Sequence, residues 1–145
     1  MYKHILLPTD GSPLSDAAVR RGVQFARQLG AKVTGFYAMP EFQMVSYTMA
    51  MEDNSKDLFD QQARARAEKV LAVVQQCAAE QAVECDTATV TSDVPYEAII
   101  RTATERGCDL ILMASHGRRG LQGFLLGSET SKVLTHSKIA VLVQR

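Results

Sequence analysis

The sequence predicts an α/β domain with a doubly wound parallel sheet, and three observations carry that prediction. Short apolar runs alternate with longer segments of helical period along the whole chain. A helical segment separates each run from the next, which supplies the crossovers that parallel strands need. Turn and cap residues, among them Pro8, Gly30, Gly107 and Gly127, stand at the junctions. With 145 residues and no repeat, low-complexity tract or linker, residues 1–145 read as one domain, large enough to bury about two-thirds of its unfolded surface.

The elements follow in order. Ile5, Leu6 and Leu7 form a continuous apolar strand that stops at Pro8. Ser12 as N-cap and Pro13 at the first helical position begin a helix whose apolar face reads Leu14, Ala18, Gly22, Phe25 and Leu29, and Gly30 ends it. A second strand runs from about Lys32 to Ala38. The helical period returns from Ser55 to about Gln81 through Phe59, Ala63, Ala67, Val70, Val74 and Ala78, a helix long enough for its first turns to overhang the sheet. Residues Val83 to Val90 mix apolar and polar side chains, as an edge strand does. Asp93 and Pro95 open a third helix with the face Tyr96, Ile99, Ile100 and Ala103, closed by Gly107. The strand from Asp109 to Ala114 is apolar on both faces and therefore central. A short helix from Ser128 to Thr135 leads to the last strand, Ile139 to Val143.

Composition narrows the function classes. Sixteen basic residues offset sixteen acidic ones, so no net field draws the chain to nucleic acid or an anionic membrane, and any anion site must be local. Cys77, Cys85 and Cys108 lack CxxC spacing and read as three buried thiols rather than a disulfide framework or zinc site. No stretch approaches about 18 apolar residues and the amino terminus lacks a leader pattern, so the expected location is cytoplasmic.

In a doubly wound sheet, ligands bind outside the carboxyl ends of the strands where the winding reverses, which places the crevice between strands one and four. The segments leaving those strands are Pro8-Thr9-Asp10-Gly11-Ser12 and Ala114-Ser115-His116-Gly117. The second continues into a loop from Ser115 to Gly127 that is long for such a domain and carries Gly117, Gly120, Gly123 and Gly127. Glycines let backbone N–H groups turn toward a ligand through positive φ. Arg118 and Arg119 add positive charge, and Gly127-Ser128 opens a helix whose first-turn N–H groups favour an anion. Together these parts suit a polyphosphate.

The spacing resembles the ATP-binding motif of universal stress proteins, G-x2-G-x9-G-[ST], read here as Ala114-x2-Gly117-x9-Gly127-Ser128 with alanine in place of the first glycine. The likeness extends to the opening Ile-Leu-Leu-Pro-Thr-Asp-Gly-Ser, the Asp109-Leu-Ile-Leu-Met run and the closing Lys138-Ile-Ala-Val-Leu-Val. That resemblance implies the fold of the adenine nucleotide alpha hydrolase-like class, five parallel strands in the order 3-2-1-4-5. It also implies a homodimer and one ATP per subunit, with Mg²⁺ or Mn²⁺ as companion cation. By resemblance, Pro8, Thr9 and Asp10 serve the adenosine and cation side, with Asp10 meeting the cation through water. Ala38 contacts adenine through its backbone. Ala114, Ser115, His116, Gly117, Arg118, Arg119 and Gly120 form the phosphate loop, and Gly127, Ser128, Glu129 and Thr130 the helix start beneath the triphosphate. An alanine with negative φ at 114 is harmless to such a site, whereas the Glu129 carboxylate repels phosphate unless it turns outward.

Individual residues admit plainer readings. Asp10 can bind ribose or hydrated Mg²⁺, or simply shape the turn before the first helix. His116 can act as a base, but no partner is set by sequence to orient it, and a hydrogen-bonding loop histidine is the simpler reading. His4 and His136 read as ordinary surface or strand-end residues, and Lys132 as a solvated lysine near the phosphate end. Met39, Met44, Met49 and Met51, with Phe42 and Tyr47, suggest a flap over adenine or against a partner, or a loop folded on the core.

The expected function is an ATP-binding stress-response module with slow or no hydrolysis, acting on a protein partner the sequence does not identify. A dimeric stress protein without nucleotide binding is one alternative and an ATP hydrolase or transferase another. The latter lacks a Walker Gly-Lys-Ser/Thr motif, and no catalytic residue is assigned. Ile139, Ala140, Val141, Leu142 and Val143 form an edge strand with no charge, proline or bulge to blunt it, which predicts a homodimer through this strand.

Overall fold

The computed structural model describes residues 1–42, 55–117 and 126–145. Five parallel strands, β1 (His4–Pro8), β2 (Lys32–Met39), β3 (Cys85–Thr91), β4 (Leu110–Ala114) and β5 (Ala140–Gln144), form one sheet in the order β3-β2-β1-β4-β5. The helices are α1 (Pro13–Leu29), α2 (Ser55–Glu80), α3 (Pro95–Glu105) and α4 (Ser128–His136). The expected strand order and parallel pairing are both present.

Alternation along the strands divides the core in two. Ile5, Leu7, Val33, Leu110, Leu112 and Ala114 point to the side that holds α1 and α2, where they pack with Val19, Val23, Val74 and Ala78. Leu6, Phe36, Ile111 and Met113 point to the opposite side and meet Ala98, Ile99, Ala103 and Val133 of α3 and α4. The sheet is thus covered on both faces, which is why β1 and β4 are buried at every position.

Ser12 caps α1 as expected, its hydroxyl accepting from the Ser15 N–H at 3.3 Å, and Gly30 ends the helix at φ 67°. Of the expected face, Ala18 and Gly22 are buried, Phe25 and Leu29 pack partly buried on the core, and Leu14 is exposed; Ser15, Val19, Val23 and Ala26 complete the buried side. Small residues win because the helix lies tight against the sheet. A Cβ at Gly22 would run into the Leu7 side chain and come within 3.3 Å of Leu112. In α2 the expected face holds, with Ala67, Val70, Val74 and Ala78 buried, and the first of these lies twelve residues into the helix, so the opening turns overhang.

Several boundaries move by a residue or two; β3, expected from Val83, starts at Cys85 and ends at Thr91, and β4 starts at Leu110. The N-cap of α3 is Val94, without a side-chain cap of its own, so Asp93 does not open the helix in the expected way. The last strand begins at Ala140, leaving Ile139 just before it, where its N–H donates to the Ser137 hydroxyl at 3.0 Å. Cys77 and Cys108 are buried and Cys85 only half so, which corrects the reading of three buried thiols; burial pushes the Cys108 thiol up to about 11. His4, the first residue of β1, takes the strand-end reading and not the surface one: it is buried and shares a 2.7 Å hydrogen bond with the Thr34 hydroxyl. Among the described residues, no helix is long and apolar enough to cross a membrane.

Candidate functional site

A cleft of about 780 Å³ opens at the carboxyl ends of the strands, a size usual for small-molecule sites. It spans the point where the winding reverses between β1 and β4. Its base is apolar, with Phe36, Met113, Pro95 and Ile99 in the wall.

One end is built from β2. The backbone of β2 alternates, with Met39 C=O accepting from Ser92 N–H at 2.8 Å on the β3 side and Phe36 C=O accepting from Thr9 N–H at 2.9 Å on the β1 side. Ala38 shares the phase of Phe36, so its N–H and C=O face the β1 side. The strand β1 ends at Pro8, opposite Phe36, and no bond from Ala38 to the departing chain is formed among the described residues. One donor and one acceptor therefore look into the cleft from a rigid strand.

Next to this edge the chain turns through Thr9 and Asp10. The Asp10 carboxylate accepts from Ser12 N–H at 2.9 Å and from the Ser15 hydroxyl at 2.8 Å, so it shapes the turn and lines the cleft at once. Gly11 takes φ 79° in this turn. Gly117 lies against the same carboxylate: a Cβ there would stand 2.5 Å from Asp10 Oδ2. The loops leaving β1 and β4 thus meet at Asp10 and Gly117.

The other end is the start of α4. Gly127 N–H donates to Ser115 C=O at 2.7 Å, and the first bond of the helix runs from Ser131 N–H to Gly127 C=O. The N–H groups of Ser128, Glu129 and Thr130 consequently have no intrahelical acceptor, and Gly127 provides no side-chain cap. Thr130 is held from below, its hydroxyl donating to Ala114 C=O at 2.9 Å. Ala114 itself is ordinary strand with its methyl in the α1-side core, so the change from glycine leaves the backbone of β4 undisturbed. The expected positive φ is found at neither Gly117 nor Gly127; Gly127 has φ −69°. Close approach, not handedness, calls for glycine here, since a Cβ at 127 would press on Ser115 O at 3.2 Å and His116 Cα at 3.3 Å.

Glu129 turns away from the cleft's polar N–H groups. Its Oε2 accepts from Tyr96 N–H at 2.9 Å, capping α3 in place of Asp93, and its Oε1 meets Lys132 Nζ at 3.3 Å. Asp93 instead accepts from Glu41 N–H at 3.0 Å. Lys132 also lies over the Tyr96 ring, 5.6 Å from its centre, which accounts for it on the outer surface of α4. His136 stacks on the same ring at 5.1 Å.

Of the residues singled out by sequence, Pro8, Thr9, Asp10, Ala38, Ala114, His116, Gly117, Gly127, Ser128, Glu129 and Thr130 line this one cleft. Ser115 does not: it is buried, with its hydroxyl 3.0 Å from His116 Nδ1. His116 Nε2 is buried without a hydrogen-bond partner in the described structure. Arg118, Arg119 and Gly120, and the methionine-rich segment apart from Met39 and Phe42, lie outside the described residues. Phe42 packs edge-on against Phe59, centroids 5.4 Å apart. Sequence reasoning missed Ser15, Tyr37, Pro40, Ser92, Asp93 and Leu126 as cleft residues. For Pro40, Ser92 and Asp93 the signal was position just past a strand end, which the topological rule makes informative at β2 and β3 as well.

Comparison with known proteins gives a consistent result. Residues 1–145 match the model of the Universal stress protein family. Universal stress protein MJ0531 of Methanocaldococcus jannaschii is 29% identical over 143 residues, which cover 99% of this chain and 82% of that one. The solved structure of MJ0577 from the same organism aligns with a TM-score of 0.80 at 27% identity, covering 99% of this chain and 95% of that chain. A universal stress protein solved in complex with cAMP aligns with a TM-score of 0.73 at 26% identity, covering 99% and 97%.

Proposed function

We propose that this chain, which belongs to the universal stress protein family, binds an adenine nucleotide in the cleft and acts as a nucleotide-dependent regulatory module. The observation that carries this reading is the pairing of two unmet backbone sites in one cavity. Ala38 presents one donor and one acceptor at the β2 end, as the edge of a purine requires. The uncapped first turn of α4 presents N–H groups to an anion at the other. Asp10 lies between them, at a place suited to ribose hydroxyls. The relative solved with cAMP supports the class of ligand.

ATP is the ligand proposed, with the Ser128 hydroxyl and the N–H groups of residues 128–130 on its phosphates. The site's oxygen donors, Asp10 with the Thr9 and Ser128 hydroxyls, fit a hard cation such as Mg²⁺ that is held mainly by phosphate oxygens and water. No cluster of three metal-ligating side chains occurs among the described residues. When bound, the cation would offset phosphate charge. Binding, not turnover, is the role assigned to this chain: the His116 ring is engaged at Nδ1 with Ser115, and its Nε2 is shielded.

Titration calorimetry with Mg-ATP tests the reading. Wild-type protein binds, and Gly127→Val, whose branched side chain pushes on Ser115 and His116, keeps its helix content and loses binding. Unchanged affinity in a folded Gly127→Val protein would refute this site.

The proposed assembly is a homodimer through residues 139–143. Among the described residues the strand β5 pairs only with β4, and Val141, Leu142 and Val143 stay half-buried. Gln144 C=O accepts from Ser115 N–H, so even-numbered residues of β5 face β4 and Val141 faces the open edge. Val141→Pro therefore removes an outward donor while sparing the ladder to β4. Light scattering during size exclusion should show a wild-type dimer and a Val141→Pro protein shifted toward monomer; a monomeric wild type sinks the proposal.

A further inference from the structure

We propose that Lys132 is a positioning residue for the phosphate end of the cleft, holding the Glu129 carboxylate outward so that the first turn of α4 stays open to a polyphosphate; this rests on the nucleotide reading above. Glu129 is the one acid in that turn, and it lines the cleft. The open N–H groups of residues 128–130 attract a nearby anion, and this carboxylate is tethered among them. Left to itself, Glu129 would compete for these groups and repel a phosphate approaching them. The turn is open to a ligand only while that carboxylate is engaged elsewhere.

Two bonds engage it. Oε2 accepts from Tyr96 N–H at 2.9 Å and Oε1 from Lys132 Nζ at 3.3 Å, so each oxygen has its own partner. The Tyr96 bond orients the carboxylate without neutralising it, because a backbone N–H carries no net charge. Among the described residues, Lys132 is the cation that meets it. The ammonium is itself located, 5.6 Å above the centre of the Tyr96 ring, so Lys132, Tyr96 and Glu129 close a small ring of contacts between α3 and α4. With side-chain exposures of 49% and 37%, the ion pair adds little to the stability of the fold. Its consequence lies in where the carboxylate points.

The experiment is a double-mutant cycle on Mg-ATP affinity, read by calorimetry in wild type, Lys132→Gln, Glu129→Gln and the double variant. Glutamine at 129 keeps an acceptor for Tyr96 N–H and removes the charge. Lys132→Gln is expected to bind about fivefold more weakly than wild type, the scale of one exposed charge pair, and Glu129→Gln about twofold more tightly. The double variant should match Glu129→Gln, because without the carboxylate Lys132 has nothing to restrain. Lys132→Met, read the same way, serves if the glutamine protein fails to fold. A Lys132→Gln protein that binds like wild type, or a loss that persists with glutamine at 129, overturns the role of Lys132 and leaves the nucleotide site standing. Weaker binding by both single variants does the same, since the pair would then merely build the start of α4. Wild type that does not bind Mg-ATP overturns the nucleotide reading itself.

Discussion

The two ends of the sheet treat their polar groups in opposite ways. At the amino end of the strands the chain satisfies itself: Asp109 accepts from Lys3 N–H at 2.9 Å and His4 N–H at 3.0 Å, His4 pairs with Thr34, and Arg106 reaches Asp86 at 2.9 Å. The turns there close on Gly30 and Gly107 in the left-handed conformation, at φ 67° and 69°. At the carboxyl end, Ala38 and the first turn of α4 leave backbone groups without partners among the described residues. The groups left open line the cleft and not the core, which is why the ligand proposed above is placed at this end.

The largest effect that sharpens this contrast is expected at Gly117. Asp10 is held at Oδ1 by Ser12 and Ser15 and cannot swing aside freely, so the side chain of Gly117→Val forces the two loops apart. Affinity for Mg-ATP should fall at least about tenfold while the thermal midpoint moves little. A large drop in stability at unchanged affinity would mean that the carboxyl end, too, is built for stability.

A smaller effect belongs to the other end. Burial, helped by the nearby Lys32 charge and opposed by Asp109, lowers the pKa of His4 below its ordinary 6.5. The folded protein therefore binds this proton less readily than the unfolded chain. The His4 contribution is complete above pH 6.5 and is lost as pH falls from there through the folded pKa. Urea midpoints measured from about pH 7.5 down to about pH 5 should decline more steeply for wild type than for His4→Gln, and Mg-ATP affinity of the variant should match wild type at pH 7.5. Parallel declines would remove His4 from the account.

Local chemistry was legible from sequence, and orientation was not. Ser12, Pro13 and Gly30 act within a few residues of their own position, so α1 could be bounded in advance, and the alternating runs implied a sheet covered on both faces. The face of α1 was read only in part: Ala18 and Gly22 are buried as expected and Phe25 and Leu29 pack on the core, but Leu14 is exposed and Val19, Val23 and Ala26 complete the buried side. Asp10 and Gly117 are both in the motif, but their mutual contact joins two loops about a hundred residues apart, which no local pattern encodes. Glu129 and Asp93 show the same limit more sharply. Each lies where a helix-capping role can be read, and only the packing of α3 beside α4 reveals that Glu129 caps the other helix and Asp93 faces the cleft.

That borrowed cap ties together parts of the chain that would otherwise be adjustable one at a time. Glu129 stands in the first turn of α4, and the N–H it binds belongs to Tyr96, one residue beyond Pro95 in the cleft wall. Anyone reshaping the cleft by shifting the start of α3 will drag the start of α4 with it, and a change aimed at one end will be felt at the other. The cleft is a mitred joint, and its two arms have to be recut together.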